Sequence, residues 1–99
     1  MKLEMNDFQQ FKDTLLQSQV PATLPAHLQA LWYDKKGEWK HAHDLIDHLT
    51  DSSSAHVHAY LHRKEGDIWN ADYWYKRAGS IRPDLSLEEE WEQLVRLLL

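Results

Sequence analysis

Hydrophobic residues recur along this chain at the three- and four-residue spacing that is typical of amphipathic helices. Phe8, Phe11 and Leu15 show it clearly, because they fall at positions i, i+3 and i+7 of one helical face. Similar spacing recurs in the later segments of the chain. We therefore predict an N-terminal helix over residues 7–19, two helix pairs over residues 23–50 and 52–83, and a C-terminal helix over residues 86–99.

Proline, glycine and capping residues separate these segments. Val20–Pro21 ends the first helix, because a residue that precedes proline avoids the helical conformation. Gly37 and Gly66 are placed to end the first helix of each pair in a left-handed conformation. Ser86 and Glu89 have the spacing of a capping box, which predicts the start of the last helix.

The composition favours an all-α fold and excludes several classes of function. Valine, isoleucine and threonine, the β-branched residues common in strands, number only nine in 99 residues. The absence of cysteine excludes disulfides, thiolate metal ligands and a cysteine nucleophile. Since no apolar run reaches the length of a membrane span and the N-terminus has no apolar leader, we expect a cytoplasmic protein without a membrane partner. The net charge of −5 argues against a nucleic-acid partner.

The two helix pairs are similar to each other in sequence. Gly37–Glu38 aligns with Gly66–Asp67, and the same 29-residue offset aligns Ala42 with Ala71. Each pair therefore reads as helix, glycine–acid turn, helix. A unit of this size cannot bury its apolar face alone, so we expect the pairs to stack, with the two alanines at the seams between helices.

These residues resemble tetratricopeptide repeats (TPR), most clearly in the second pair. The matching positions there are Ala59, Gly66, Asp67, Ala71, Tyr75, Ala78 and Pro83. The resemblance covers about residues 23–83. It implies a short right-handed array of antiparallel helical hairpins, 23–50 and 52–83, within a single domain over residues 1–99. The strings over residues 58–67 and 70–79 also resemble a small bacterial family of unassigned function.

The TPR resemblance implies a small protein-interaction module of unknown specific role. Its groove would be basic and aromatic within an acidic protein, so a protein segment or acidic peptide is the partner that it suits. The candidate contact residues are His27, Lys35, His56, Tyr60, Arg63, Lys64 and Trp69. An alternative for the charged residues is structural: Asp67 caps the fifth helix, and Glu65 or Asp72 pairs with Arg77.

The histidines suggest a second function. All seven lie between His27 and His62, and His58 and His62 are four residues apart on one helical face. Two such imidazoles can supply half of a divalent transition-metal site, so metal or small-ligand binding is the alternative function. The structural alternative is that Glu65 or another polar neighbour satisfies buried rings, whose pKa values burial would then lower.

No sequence pattern in the chain indicates a catalytic device, and the leading interpretation needs no cofactor. Serines cluster only at residues 52–54, where turn chemistry explains them. The acidic run Glu88–Glu90 lies in the predicted first turn of the last helix. There it complements the helix dipole, so we expect it to need no partner.

Overall fold

Six α-helices follow one another through the described part of the chain. The computed structural model describes residues 4–99, with side chains from residue 7 onward. The helices are α1 (Glu4–Thr14), α2 (Ala26–Lys35), α3 (Trp39–Ile46), α4 (Ser52–Glu65), α5 (Ile68–Arg77) and α6 (Leu87–Leu98). Residues 4–99 contain no strand, so the predicted all-α class is confirmed. Residues 1–3 of the predicted single domain lie outside the described residues.

The predicted turn and cap residues form the helix ends. Gly37 and Gly66 have φ angles of 86° and 91°, in the left-handed region that glycine adopts most readily. Asp67 begins α5, because its carboxylate accepts a hydrogen bond from the Asn70 backbone N–H at 3.3 Å. Ser86 and Glu89 form the predicted capping box at α6. Local sequence therefore determines these boundaries.

The first two helices differ from their predicted bounds. α1 ends at Thr14 rather than at residue 19, and α2 begins at Ala26 rather than at residue 23. The Leu16 side chain is 89% exposed, so further helix would have buried no apolar surface there. Pro25 adopts an extended conformation and precedes the first helical residue of α2.

The helices pack as two antiparallel hairpins with α1 and α6 added to them. α2 packs mainly on α3, and α4 packs mainly on α5. Ala42 and Ala71, the predicted seam residues, are both fully buried. α4 also contacts α2, α3 and α6, so it lies at the centre of the array. Phe8 and Phe11 of α1 contact Trp91 of α6, with ring centroids 6.2 and 6.0 Å apart.

Three tryptophan indoles connect neighbouring helices through their N–H groups. The bonds run from Trp32 Nε1 to Thr14 Oγ1 (3.1 Å), from Trp39 Nε1 to the Leu61 carbonyl (2.8 Å), and from Trp91 Nε1 to the Leu31 carbonyl (3.0 Å). Each large apolar ring is thus fixed in orientation as well as packed. Among residues 4–99, no helix combines the length and the apolar character needed to cross a bilayer.

Candidate functional site

Two of the predicted groove residues bind a carboxylate inside the protein. Asp34 of α2 is only 2% exposed, and Tyr60 of α4 is equally buried. The Tyr60 hydroxyl donates to Asp34 Oδ2 at 2.9 Å, and Lys64 Nζ donates to Asp34 Oδ1, also at 2.9 Å. Burial and the neighbouring Asp34 carboxylate raise the pKa of Tyr60 above its ordinary value, so the phenol stays protonated. This network joins the two hairpins.

A second network holds a third groove residue. Arg63 donates to Glu90 Oε1 at 2.6 Å and to the Leu85 carbonyl. The Tyr75 hydroxyl donates to the other Glu90 oxygen at 2.5 Å. Glu90 is fully buried, so the expectation that this acid needs no partner is wrong. The reason is that Glu90 points toward Arg63 of α4 and Tyr75 of α5, whereas Glu88 and Glu89 of the same turn are exposed.

The other predicted groove residues lie nearer the surface. Lys35 Nζ is 3.5 Å from Glu88 Oε2 and 4.4 Å from the Trp91 ring centroid. His27 and His56 are partly buried, and this burial lowers the pKa of each below the ordinary histidine value. Trp69 is 77% exposed. The structure thus holds part of the predicted groove in internal contacts and leaves Trp69 accessible.

The prediction that Glu65 or Asp72 pairs with Arg77 is wrong. Asp72 instead accepts from Arg82 Nε at 2.9 Å, and Glu65 accepts from His62. Arg77 lies over the Tyr73 ring, 5.7 Å from its centroid. No acid of residues 7–99 forms an ion pair with Arg77.

The exposed side of α5 carries aromatic and basic residues together. Trp69 and Tyr73 are nearly parallel, with ring centroids 6.3 Å apart. Lys76 and Arg77 follow on the same side of the helix, at three and four residues from Tyr73. We call the surface formed by Trp69, Tyr73, Lys76 and Arg77 the α5 face. It is the surface of the described structure where exposed aromatics and unpaired cations coincide.

On another surface of the hairpins, three histidines meet. His58 and His62 of α4 have ring centroids 4.8 Å apart, and His43 of α3 packs against both. His43 Nε2 lies 3.1 Å from His58 Nε2. One ring nitrogen of each histidine lies within 4.8 Å of the others. We call these three residues the histidine cluster.

Aromatic rings and carboxylates surround the histidine cluster. The Trp74 ring stacks on His58 with centroids 4.0 Å apart, and Trp39 stacks on His43 at 5.0 Å. His62 Nδ1 lies 2.7 Å from Glu65 Oε2. The prediction that Glu65 serves as a histidine partner is therefore confirmed.

Two histidines of the cluster, His58 and His43, have lowered pKa values. Burial, then the neighbouring His43 and His62, lower the pKa of His58 to about 4. The pKa of His43 is also lowered, mainly by burial. His58 Nδ1 is buried and has no hydrogen-bond partner. The predicted lowering of the pKa by burial is thus confirmed at His58.

Sequence reasoning had identified His58 and His62 but not His43 as a member of this cluster. Nδ1 of His43 lies 3.9 Å from Oδ2 of Asp47, four residues later at the C-terminal cap of the same helix. Its other nitrogen is turned toward α4. A contact across 15 residues depends on how α3 packs on α4, which the spacing on one helix does not reveal. The only signal available was the concentration of histidines in the two segments.

Two further groups of side chains in the described structure have ligand atoms close enough for a metal ion. They are His43, Asp44 and Asp47, and His62, Glu65 and Asp67. Both include exposed acids. Comparison of the chain with models of known protein families, with curated proteins and with solved structures finds no match. The interpretation of both candidate sites therefore rests on their own geometry.

Proposed function

We propose that this chain is a small protein-interaction module whose α5 face binds an acidic protein segment. The observation that carries the proposal is the presence of a 77% exposed tryptophan beside unpaired cations in a protein of net charge −5. Exposed tryptophan and arginine are the residue types that most often dominate binding energy at interfaces. A partner with one apolar side chain among carboxylates complements this surface.

The chemistry of the α5 face suits that partner. Trp69 offers a large, rigid ring at a small cost in conformational entropy. Lys76 and Arg77 supply charges that no carboxylate among residues 7–99 neutralises in an ion pair. Beside the C-terminal part of α5 lies an open depression of about 440 Å³, lined by Lys76 and by the Asp72–Arg82 ion pair. An acidic segment lying along α5 would therefore meet cations at one end and an aromatic ring at the other.

Only some of the predicted groove residues contact the partner in this proposal. Arg63 and Lys64 orient α4 through buried carboxylates, and α4 supports α5 from behind. Trp69 is the groove residue that contacts the partner directly. Contacts from His27, Lys35 and His56 stay a prediction, as do the TPR relationship and the cytoplasmic location.

The experiment uses an array of acidic peptides that each contain one leucine or phenylalanine. Matched peptides carry asparagine and glutamine in place of the acids. We expect preferential binding of acidic peptides, weakened by salt because exposed charges are screened. Trp69→Ala and Arg77→Gln should each reduce affinity about tenfold or more. Leu97→Ala, at an exposed position of α6, is the control and should leave affinity unchanged.

Equal binding of the acidic and the amide peptides would contradict the charge argument. Acid-selective binding that survives both the Trp69 and the Arg77 substitution would place the partner elsewhere on the surface. Circular dichroism of each variant checks that the fold is retained. Because the Trp69 and Arg77 side chains are both exposed, we expect neither substitution to change the fold.

A further inference from the structure

We propose that His43, His58 and His62 form a binding site for one divalent transition-metal ion of the zinc class. The site is separate from the α5 face, and its function does not depend on peptide binding. Three ligands come from two packed helices, His43 from α3 and the other two from α4. Imidazole nitrogen is a preferred ligand of Zn²⁺ and of its neighbours Cu²⁺ and Ni²⁺.

The separation of the ring nitrogens fits one shared ion. Two imidazole nitrogens bound to the same tetrahedral Zn²⁺, each at about 2.0–2.1 Å, lie roughly 3.3–3.4 Å apart. His43 Nε2 and His58 Nε2 are 3.1 Å apart. The third histidine brings a ring nitrogen within 4.8 Å of both. Compared with the tetrahedral spacing, the His62 nitrogen is at most about 1.5 Å too far from the other two, so a shift of that size would complete a three-histidine set.

A carboxylate is hydrogen-bonded to one of the ligands, as is common for metal-binding histidines, and a second carboxylate lies farther from another ligand. Glu65 Oε2 is 2.7 Å from His62 Nδ1, so Nδ1 donates its proton there and Nε2 keeps a free lone pair. Asp47 Oδ2 lies 3.9 Å from His43 Nδ1, on the side away from His58. The Glu65 contact thus favours the tautomer in which Nε2 of His62 is available as a ligand, whereas the Asp47 oxygen is beyond hydrogen-bond distance of His43.

An imidazole at residue 58 is a costly way to fill the space between the helices. In the His43–His58 contact one Nε2 donates to the other, and His58 Nδ1 remains buried without a partner. An apolar side chain at residue 58 would avoid that cost. Metal binding gives the imidazole a role that an apolar side chain cannot fill, because the ion would use the lone pairs of both facing Nε2 atoms.

The site is accessible, and its ligands are held in place. The side chains of His43 and His62 are 21% and 12% exposed, so an ion can reach them from solvent. Trp39 and Trp74 stack on two of the rings and restrict their rotation. Three protein ligands leave one position for water, the arrangement found in catalytic rather than closed structural zinc sites.

The test uses untagged protein treated with a chelator and then titrated with Zn²⁺ or Co²⁺. We expect one ion per chain, visible absorption typical of tetrahedral Co²⁺, and a melting temperature raised by about 10–20 °C at a hundredfold excess over Kd. His43→Gln and His62→Gln should each abolish these signals. His41→Gln and His48→Gln are matched controls, because both residues are outside the cluster and well exposed, and should bind as the natural chain does.

Two further measurements keep the test decisive. Glu65→Gln should lower Zn²⁺ affinity about 10–100-fold without abolishing binding, because it removes only the group that orients His62. Nitrogen NMR of the imidazoles should show the Zn²⁺-induced shift at Nε2 of the three cluster histidines. Absence of stoichiometric binding to the folded natural chain, or binding that persists in the His43→Gln/His62→Gln double variant, would overturn the proposal. Trp69→Ala should bind Zn²⁺ normally, which separates this result from the peptide experiment.

Discussion

The buried Arg63–Glu90–Tyr75 network allows a quantitative prediction about stability. Glu90→Ala would leave the Arg63 guanidinium, itself only 17% exposed, without its counter-charge. It would also leave the Tyr75 hydroxyl buried without an acceptor. Removing one partner of a buried ion pair costs about 3–5 kcal/mol. Because a chain of this length has about 5–15 kcal/mol of stability in total, the variant should lose a large part of it.

Urea unfolding, followed by tryptophan fluorescence and circular dichroism, measures this loss. Glu92→Ala is the control on the same helix, because Glu92 forms an exposed ion pair with Arg96 that is worth less than about 1 kcal/mol. Arg63→Met combined with Glu90→Leu should recover part of the stability, since no unpaired charge then remains, although the Tyr75 hydroxyl still lacks its acceptor. The reasoning would be refuted if Glu90→Ala cost no more than Glu92→Ala.

The remaining predictions concern pH and helix ends. Because the pKa of His58 is lower in the folded than in the unfolded protein, stability is complete above about pH 6.5 and is lost as the pH falls toward 4. Between pH 7 and pH 5 this residue alone should remove about 2 kcal/mol, and His58→Leu should flatten the urea-measured pH profile. The neighbouring His43 also lowers the pKa of His58 and has a lowered pKa of its own, whereas the nearby Asp47 raises the pKa of His58. An unfolding free energy of the natural chain that does not change between pH 7 and pH 5 would contradict this prediction. Gly66→Ala should cost about 1–2 kcal/mol of unfolding free energy, because the φ angle of 91° strains any other residue, although the space is open. Ser86→Ala should cost about 1 kcal/mol through loss of the cap. An unchanged urea midpoint in either variant would contradict the corresponding argument from backbone conformation or helix capping.

Local patterns predicted the helices because each helix end depends on nearby residues. Gly66, Asp67 and Ser86 act within a few positions of themselves, so their roles could be read from spacing alone. The end of α1 was predicted too late because the apolar face stops at Leu15, and nothing in the spacing showed that Leu16 would be left in water.

The polar groups inside the array could not be predicted in the same way. Asp34 binds partners 26 and 30 residues away, and Glu90 binds one 27 residues away. Whether such a carboxylate lies in water or between helices depends on how the hairpins are stacked. His43 could not be assigned to the histidine cluster for the same reason, because it meets the other two histidines only when α3 packs on α4.

The indole bonds have a practical consequence for following how the array assembles. Trp32, Trp39 and Trp91 each report on a different pair of chain segments, because their N–H groups bond to Thr14, Leu61 and Leu31. Chains that retain only one of these three indoles, with Trp69 and Trp74 also replaced, would give separate emission signals for three junctions during rapid mixing. The molecule thus carries its own internal probes for the order in which its helices come together.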